Sequence, residues 1–292
     1  MAAITAAQVQ ELREKTGLGM MLCKKALTEA DGNMEIAIEN LRKQGQATME
    51  KRAAKAAKEG CISILERDGL VALYEVNSET DFVARNDDFV SFSRTLGEIL
   101  LTQRPSTVEE AAALRCDAFG GTSVSDCLLE LTAKIGEKIG FRRFVVAETS
   151  STRKVFSYLH GTRIGVVLTL ECDNAQALVS EGAALLGKDL AMQIAASNPL
   201  GVSRESIPTE TVAKEREIYL TQAQGSGKPE KIWEKIVEGK LAKFFGDVVL
   251  LEQPFIKEPD VSVQKRIDAA GKECSCTFKP VTFTRFELGA GE

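Results

Sequence analysis

The sequence of 292 residues holds a single histidine, His160. Any Ser-His-Asp relay would have to use it. It stands in Tyr158-Leu159-His160-Gly161, at an expected hairpin turn, where a histidine is ordinarily structural or on the surface. The chain also lacks a P-loop, a glycine-rich strand-to-helix fingerprint and a nucleophile elbow. No catalytic residue is expected, so binding is the expected business of the molecule. An excess of positive charge is missing as well: the net charge is -5. A dedicated nucleic-acid binder is normally basic, because phosphate neutralisation drives its affinity, although a local basic patch remains compatible with this balance.

Long apolar runs are absent. No stretch of about 18 apolar residues occurs, so no membrane span is expected. Met1-Ala2-Ala3-Ile4 has neither the basic nor the apolar run of a signal peptide. Also lacking is a disulfide framework. The seven cysteines (Cys23, Cys61, Cys116, Cys127, Cys172, Cys274 and Cys276) are odd in number and scattered. Reduced thiols and a cytoplasmic location are the expectation. Cys274-Ser275-Cys276 is the one tight pair, and two thiolates do not close a zinc site. Neither a metal nor a cofactor is expected.

What is present suffices for folding. Hydrophobic residues make up 44% and charged residues 27%, ordinary values for a globular chain. The length predicts two compact units with a small extra module. Residues 1–45 read as that module, built of three helices. Thr5 and Gln8 have capping-box spacing behind Ile4. Leu22, Ala26 and Ala30 make the stripe of a second helix, and Asn33 after Asp31-Gly32 can cap a third. Residues 46–59, rich in Ala and Lys, read as a solvated linking helix carrying Lys51, Arg52, Lys55 and Lys58.

Residues 60–150 read as a first half-core. Two strands join at Arg67-Asp68-Gly69, and a polar loop follows from Ser78. A helix carries Phe89, Phe92, Leu96 and Leu100, further helices cover 107–119 and 125–139, and a third strand runs over Phe141–Glu148. Residues 151–208 and 246–292 repeat this plan weakly: a strand pair turning at Gly161-Thr162, a helix with Leu185, Leu186, Leu190, Ile194 and Ala195, and a third strand over Pro280–Leu288. The fold class is α+β, with small antiparallel sheets and helices on one face of each. Residues 209–245 interrupt the second half. Val212, Tyr219 and Ala223 stripe one arm; Trp233, Ile236, Val237, Leu241 and Phe244 stripe the other; Gly225-Ser226-Gly227-Lys228-Pro229 joins them. This is an antiparallel helical hairpin. At 1.5 Å per residue its arms are about 22 Å long, so it either projects or lies against something else.

Two places carry candidate binding residues. Met20-Met21 puts two adaptable side chains about 100° apart on one helix, suited to protein docking. The alternative is that Met21 is core and Met20 merely lies at an exposed turn. In Glu75-Val76-Asn77-Ser78-Glu79-Thr80-Asp81-Phe82-Val83-Ala84-Arg85-Asn86, polar groups crowd around one large aromatic. Phe82 reads either as an interface anchor or as a staple onto the following helix, with Asp81 as its cap.

Four passages together resemble the family of bacterial translation elongation factor Ts. They are Leu12-Arg13-Glu14-Lys15-Thr16-Gly17-Leu18-Gly19-Met20-Met21 with Cys23-Lys24-Lys25-Ala26-Leu27; Glu79-Thr80-Asp81-Phe82-Val83-Ala84; His160-Gly161-Thr162-Arg163-Ile164-Gly165; and Ser226-Gly227-Lys228-Pro229. Their order and separations make the match specific, and it extends along nearly the whole chain. The resemblance implies a guanine-nucleotide exchange factor for elongation factor Tu, meeting that partner in its GDP-bound and nucleotide-free forms. Direct contact with nucleic acid or membrane is not implied. It implies an N-terminal module like ubiquitin-associated domains, a two-part core and a protruding coiled-coil hairpin. Thr80, Asp81, Phe82 and Val83 would intrude near the partner's magnesium site, with Phe82 wedged between partner helices. Leu18, Met20 and Met21 would dock on the partner's nucleotide-binding domain, and His160 on another of its domains. Some relatives continue past the final strand with a helical module; this chain stops at Glu292, so contacts of that module are not carried over. Residues 102–131 carry no transferable motif. Two other readings compete: an RNA or ribosome binder using the Lys-rich 46–59 segment, and a thiol enzyme using Cys274 and Cys276.

Overall fold

The computed structural model describes residues 4–16, 18–52 and 55–291, with the side chains of residue 46 and residues 48–52 outside the description. Gly17, part of the turn that Thr16-Gly17-Leu18-Gly19 predicts between the first two helices, and the side chains of Lys51 and Arg52 therefore lie outside the described residues. The chain divides into two units, one of Met1–Leu65, Ala72–Val146 and Glu287–Glu292, the other of Glu66–Val71 and Ala147–Phe286.

In the first unit, Thr5 and Gln8 cap α1 (Ala6–Thr16) reciprocally. The Thr5 amide donates to Gln8 Oε1 at 3.0 Å, and the Gln8 amide donates to Thr5 Oγ1 at 3.3 Å. Helix α2 (Met20–Glu29) buries Cys23, Ala26 and Leu27. Ala26 and Ala30 are buried as the expected stripe requires, but Leu22 is exposed, and Cys23 and Leu27 fill the core in its place. Asp31 and Gly32, both at positive φ, turn the chain, and Asn33 Oδ1 accepts the Ile36 amide at 3.1 Å to start α3 (Met34–Arg52). These three helices close over Val9, Leu12, Leu18, Leu27 and Leu41. The expected separate linker helix is instead the continuation of α3, since residues 42–52 contain no proline and are rich in good helix formers.

Strands β1 (Glu59–Arg67) and β2 (Leu70–Ser78) join through Asp68 and Gly69 at φ 52° and 79°, the paired positive values of a tight hairpin turn. Helix α4 (Asp87–Gln103) buries Phe89, Phe92, Leu96 and Leu100. The helix expected over 107–119 stops at α5 (Val108–Ala113), because Arg115 pairs across a turn with Ser123 instead of continuing the coil. Helix α6 (Val124–Ile135) ends short of 139 because Gly136 adopts the left-handed conformation at its C-cap. Strand β3 (Gly140–Glu148) completes a sheet of order β1-β2-β3. Within it Glu75 of β2 is fully buried: Arg143 Nε of β3 donates to it at 2.6 Å, Arg142 lies at 3.5 Å, and Asn77 Nδ2 and the Gly289 amide donate at 2.9 and 3.0 Å.

The second unit repeats the plan. Strand β4 (Arg153–His160) pairs antiparallel with β5 (Ile164–Cys172), Phe156 opposite Leu168 and His160 opposite Ile164. After the short α7 (Ala175–Leu178), α8 (Glu181–Ser197) lays Leu186, Leu190 and Ile194 on the sheet, with Ala195 also buried, whereas Leu185, expected in the same stripe, is exposed. A Cβ on Gly187 would lie 2.3–2.4 Å from the Phe156 ring, so the absence of a side chain there lets the ring reach the helix backbone. Helices α9 (Thr209–Gln224) and α10 (Trp233–Val248) pack through Ala223, Val237 and Leu241, flanked by Val212, Tyr219, Trp233, Ile236 and Phe245. Phe245, one position beyond the expected Phe244, keeps the four-residue spacing 237, 241, 245. Arg216 bridges the two arms to Glu234 and Glu238. A small antiparallel pair, β6 (Pro254–Phe255) and β7 (Glu258–Ser262), leads into α11 (Val263–Cys274), and β8 (Phe278–Glu287) completes the order β4-β5-β8. Helix α11 was not anticipated: its stripe of Val263, Ile267 and Ala270 is short and diluted by charge. Helices and small sheets thus make an α+β chain.

Candidate functional site

The loop after β2 is pinned at its base. Ser78 Oγ donates to the Thr80 carbonyl at 2.7 Å. Glu137, just past the end of α6, then accepts both the Thr80 amide and the Thr80 hydroxyl, each at 3.0 Å. Glu79 accepts the Lys138 amide at 2.7 Å and pairs with Lys55 at 3.2 Å. On the other side Val83 is buried and opens a short 3₁₀ turn, Val83–Arg85. Asn86, whose Oδ1 accepts the Asp88 amide at 2.9 Å, caps α4. Lys134 of α6 holds Asp88 at 2.8 Å.

Phe82 sits between these anchors with 78% of its surface exposed. It does not staple onto α4, and Asp81 is not the cap; Asp81 faces solvent with Arg85 at 3.4 Å. Water disfavours so much open aromatic surface, while burying a phenylalanine elsewhere is worth about 1.5–3 kcal/mol. The pinned loop thus holds an open aromatic face at a fixed position. The clamp by Glu137 was missed from sequence, since a lone carboxylate after a glycine carries no signal of a partner 57 residues away.

Met20 and Met21 are both exposed, at 54% and 76%, so neither is core. Together with Leu22 they form an apolar start to α2. Leu18 faces the opposite way: it is buried against the three-helix core and fixes where α2 begins. In the second unit His160, at the end of β4, is exposed, and its Nδ1 lies 3.1 Å from the Tyr158 hydroxyl. Gly161 at φ 59° turns the chain directly after it.

The thiols are arranged differently from the sequence expectation. Cys276 lies beside Cys172 and Asp173 rather than pairing with Cys274. Burial, followed by contact with Cys172, pushes the Cys276 thiol up to about 12, which keeps it protonated and a poor nucleophile at neutral pH. The Lys-rich segment is partly engaged, through the Lys55–Glu79 pair. Among the described residues no helix is long and apolar enough to cross a membrane.

A family model described as elongation factor TS matches residues 79–290, starting at the pinned loop. An elongation factor Ts from Methylococcus capsulatus is 46% identical over 291 residues, covering 99% of this chain and 93% of the relative. Those from Trichlorobacter lovleyi and Syntrophotalea carbinolica are 42% and 44% identical, covering 99% of this chain and 94% of each relative. The chain belongs to the elongation factor Ts family. Membership makes it a nucleotide exchange factor of translation elongation, and elongation factor Tu is the partner of this family. The N-terminal three-helix module, outside the matched span of the family model, is covered by the full-length relatives.

Proposed function

We propose that this elongation factor Ts family member accelerates GDP release from elongation factor Tu by inserting Thr80, Asp81, Phe82 and Val83 beside the partner's Mg²⁺ site. The observation that carries the reading is the exposed Phe82 ring on a loop clamped by Glu137. A GTPase holds its nucleotide through a phosphate-cradling loop and Mg²⁺. Displacing that ion removes the largest local positive charge opposite the phosphates. The factor need only prefer the nucleotide-free partner. Linkage then makes it weaken GDP by the same ratio by which GDP weakens it, and inverting a 99:1 preference takes about 5.5 kcal/mol.

In this reading Met20 and Met21 dock on the partner's nucleotide-binding domain, Leu18 sets their position from within the ubiquitin-associated-like module, and His160 touches a further domain. The α9–α10 hairpin is a projecting arm. The factor binds the GDP-bound and nucleotide-free forms without touching nucleic acid or membrane, and works in the cytoplasm. No bond is made or broken, so no residue is assigned a catalytic role. The test is release of fluorescent GDP from elongation factor Tu followed by stopped flow. Phe82→Ala should slow stimulated release about thirtyfold or more, as loss of a hot-spot aromatic worth about 2 kcal/mol implies. Unchanged release from a folded variant would remove the wedge.

A further inference from the structure

The last residue of β5 and the turn between α11 and β8 bring together three donors separated by up to 104 positions. Cys172 Sγ, a carboxylate oxygen of Asp173 and Cys276 Sγ all lie within 4.8 Å of one another, and Cys172 Sγ is 3.8 Å from Asp173 Oδ1. Zinc bonds of about 2.3 Å to sulfur and about 2.0 Å to oxygen, at tetrahedral angles, require S···S near 3.8 Å and S···O near 3.5 Å, roughly the spacing present. The three differ usefully in environment. Cys172 is 2% exposed, Cys276 is half-buried, and Asp173 opens onto a groove also lined by Asp268, Lys272 and Thr277.

Backbone amides already orient two of the donors. The Asn174 amide donates to Cys172 Sγ at 3.4 Å, and the Thr277 amide donates to Asp173 Oδ1 at 2.9 Å. Such outer contacts fix ligand direction in metal sites. Cys274 stands apart: its thiol lies 3.8 Å from Ser180 Oγ and covers Gly182, where a Cβ would come within 2.6 Å of the sulfur.

We propose that Cys172, Asp173 and Cys276 form a binding site for a borderline-soft divalent metal ion of the zinc class, with a fourth position open to the groove. Two thiolates select such an ion over Mg²⁺ or Ca²⁺. Three protein donors with an open position make an exchangeable site rather than a closed structural one. The ion deprotonates the thiols it binds. It ties the end of β5 to the entry of β8, so its occupancy is coupled to the stability of the second unit.

The experiment is a titration of the full-length protein, stripped with chelator and kept reduced, with Co²⁺ and then Zn²⁺. One equivalent of Co²⁺ should produce a thiolate charge-transfer band in the near ultraviolet and the visible bands of tetrahedral cobalt, both abolished by Zn²⁺. Excess Zn²⁺ should raise Tm by about 5 °C. Cys276→Ser should weaken binding at least tenfold. Asp173→Asn, which keeps an oxygen for the Thr277 amide, should do so in a protein of unchanged circular dichroism. Cys274→Ser should bind as the wild type does. The site is overturned if no thiolate band appears, if the band survives both Cys276→Ser and Asp173→Asn, or if it depends on Cys274. A Cys172–Cys276 disulfide that forms in air and that Zn²⁺ does not prevent also overturns it.

Discussion

Thr80 surrenders both its amide and its hydroxyl to one carboxylate, which leaves the next two residues little choice of direction. Glu137→Ala should therefore slow stimulated GDP release about tenfold, the kinetic equivalent of losing hydrogen bonds to a charged group worth ~1.4 kcal/mol, while Phe82 itself is intact. The same stopped-flow measurement checks it, and a rate equal to wild type would mean that the loop needs no clamp. A second residue-scale prediction concerns Gly187. An alanine methyl there would enter the space of the Phe156 ring, so Gly187→Ala should cost about 1–3 kcal/mol in urea denaturation through overpacking. Neither effect was legible beforehand. Phe82 and Met20-Met21 could be singled out because large apolar groups in polar surroundings are visible in a string of letters. A carboxylate clamp and a glycine beneath a ring depend on chain segments brought together only by folding.

At the scale of elements, local chemistry was legible wherever it was self-contained. The Thr5/Gln8 box, the Asn33 cap and the Asp68-Gly69 turn each need only three or four neighbouring residues, and each forms as its residues dictate. Boundaries slipped where a tertiary partner intervened: α5 gives way to the Arg115–Ser123 pairing, and α6 stops at Gly136. Helix α11 escaped notice because its buried stripe of Val263, Ile267 and Ala270 is short, interspersed with charged residues, and covered by α8, far away in sequence. The α9–α10 hairpin has its own small core of Ala223, Val237 and Leu241. Leu241→Ala should destabilise that core by about 2–5 kcal/mol. Hydrogen exchange should report the loss of protection in 209–248 alone, with β4, β5 and α8 still protected. Exposure spreading into that sheet would show that the arms are not an independent cooperative segment.

For the whole molecule, the repeated plan of hairpin, long helix and third strand was readable from periodicity, because each half buries one sheet face under one helix. The buried carboxylate of Glu75 was not. It lay within a segment noted only for its loop, and its partners are scattered from Asn77 to Gly289. Glu75→Ala would remove the buried carboxylate on which Arg142, Arg143, Asn77 and the Gly289 amide converge. The expected loss is about 3–5 kcal/mol in the first unit, seen as a lower urea midpoint at constant slope. Glu75→Gln should recover part of it, since an amide oxygen can still accept from Gly289 and Asn77. Equal stability of Glu75→Ala and wild type would show that the cluster is only ornament.

The reach of that cluster has a temporal consequence. The Gly289 amide and Glu75 stand 214 positions apart, and at about 5–20 residues per second the ribosome separates their synthesis by about 10–40 s. During that interval the nascent chain holds an acidic side chain whose closing donor has not yet been polymerised. An early-made portion of this translation factor is therefore sealed only once Gly289 has been added to the chain.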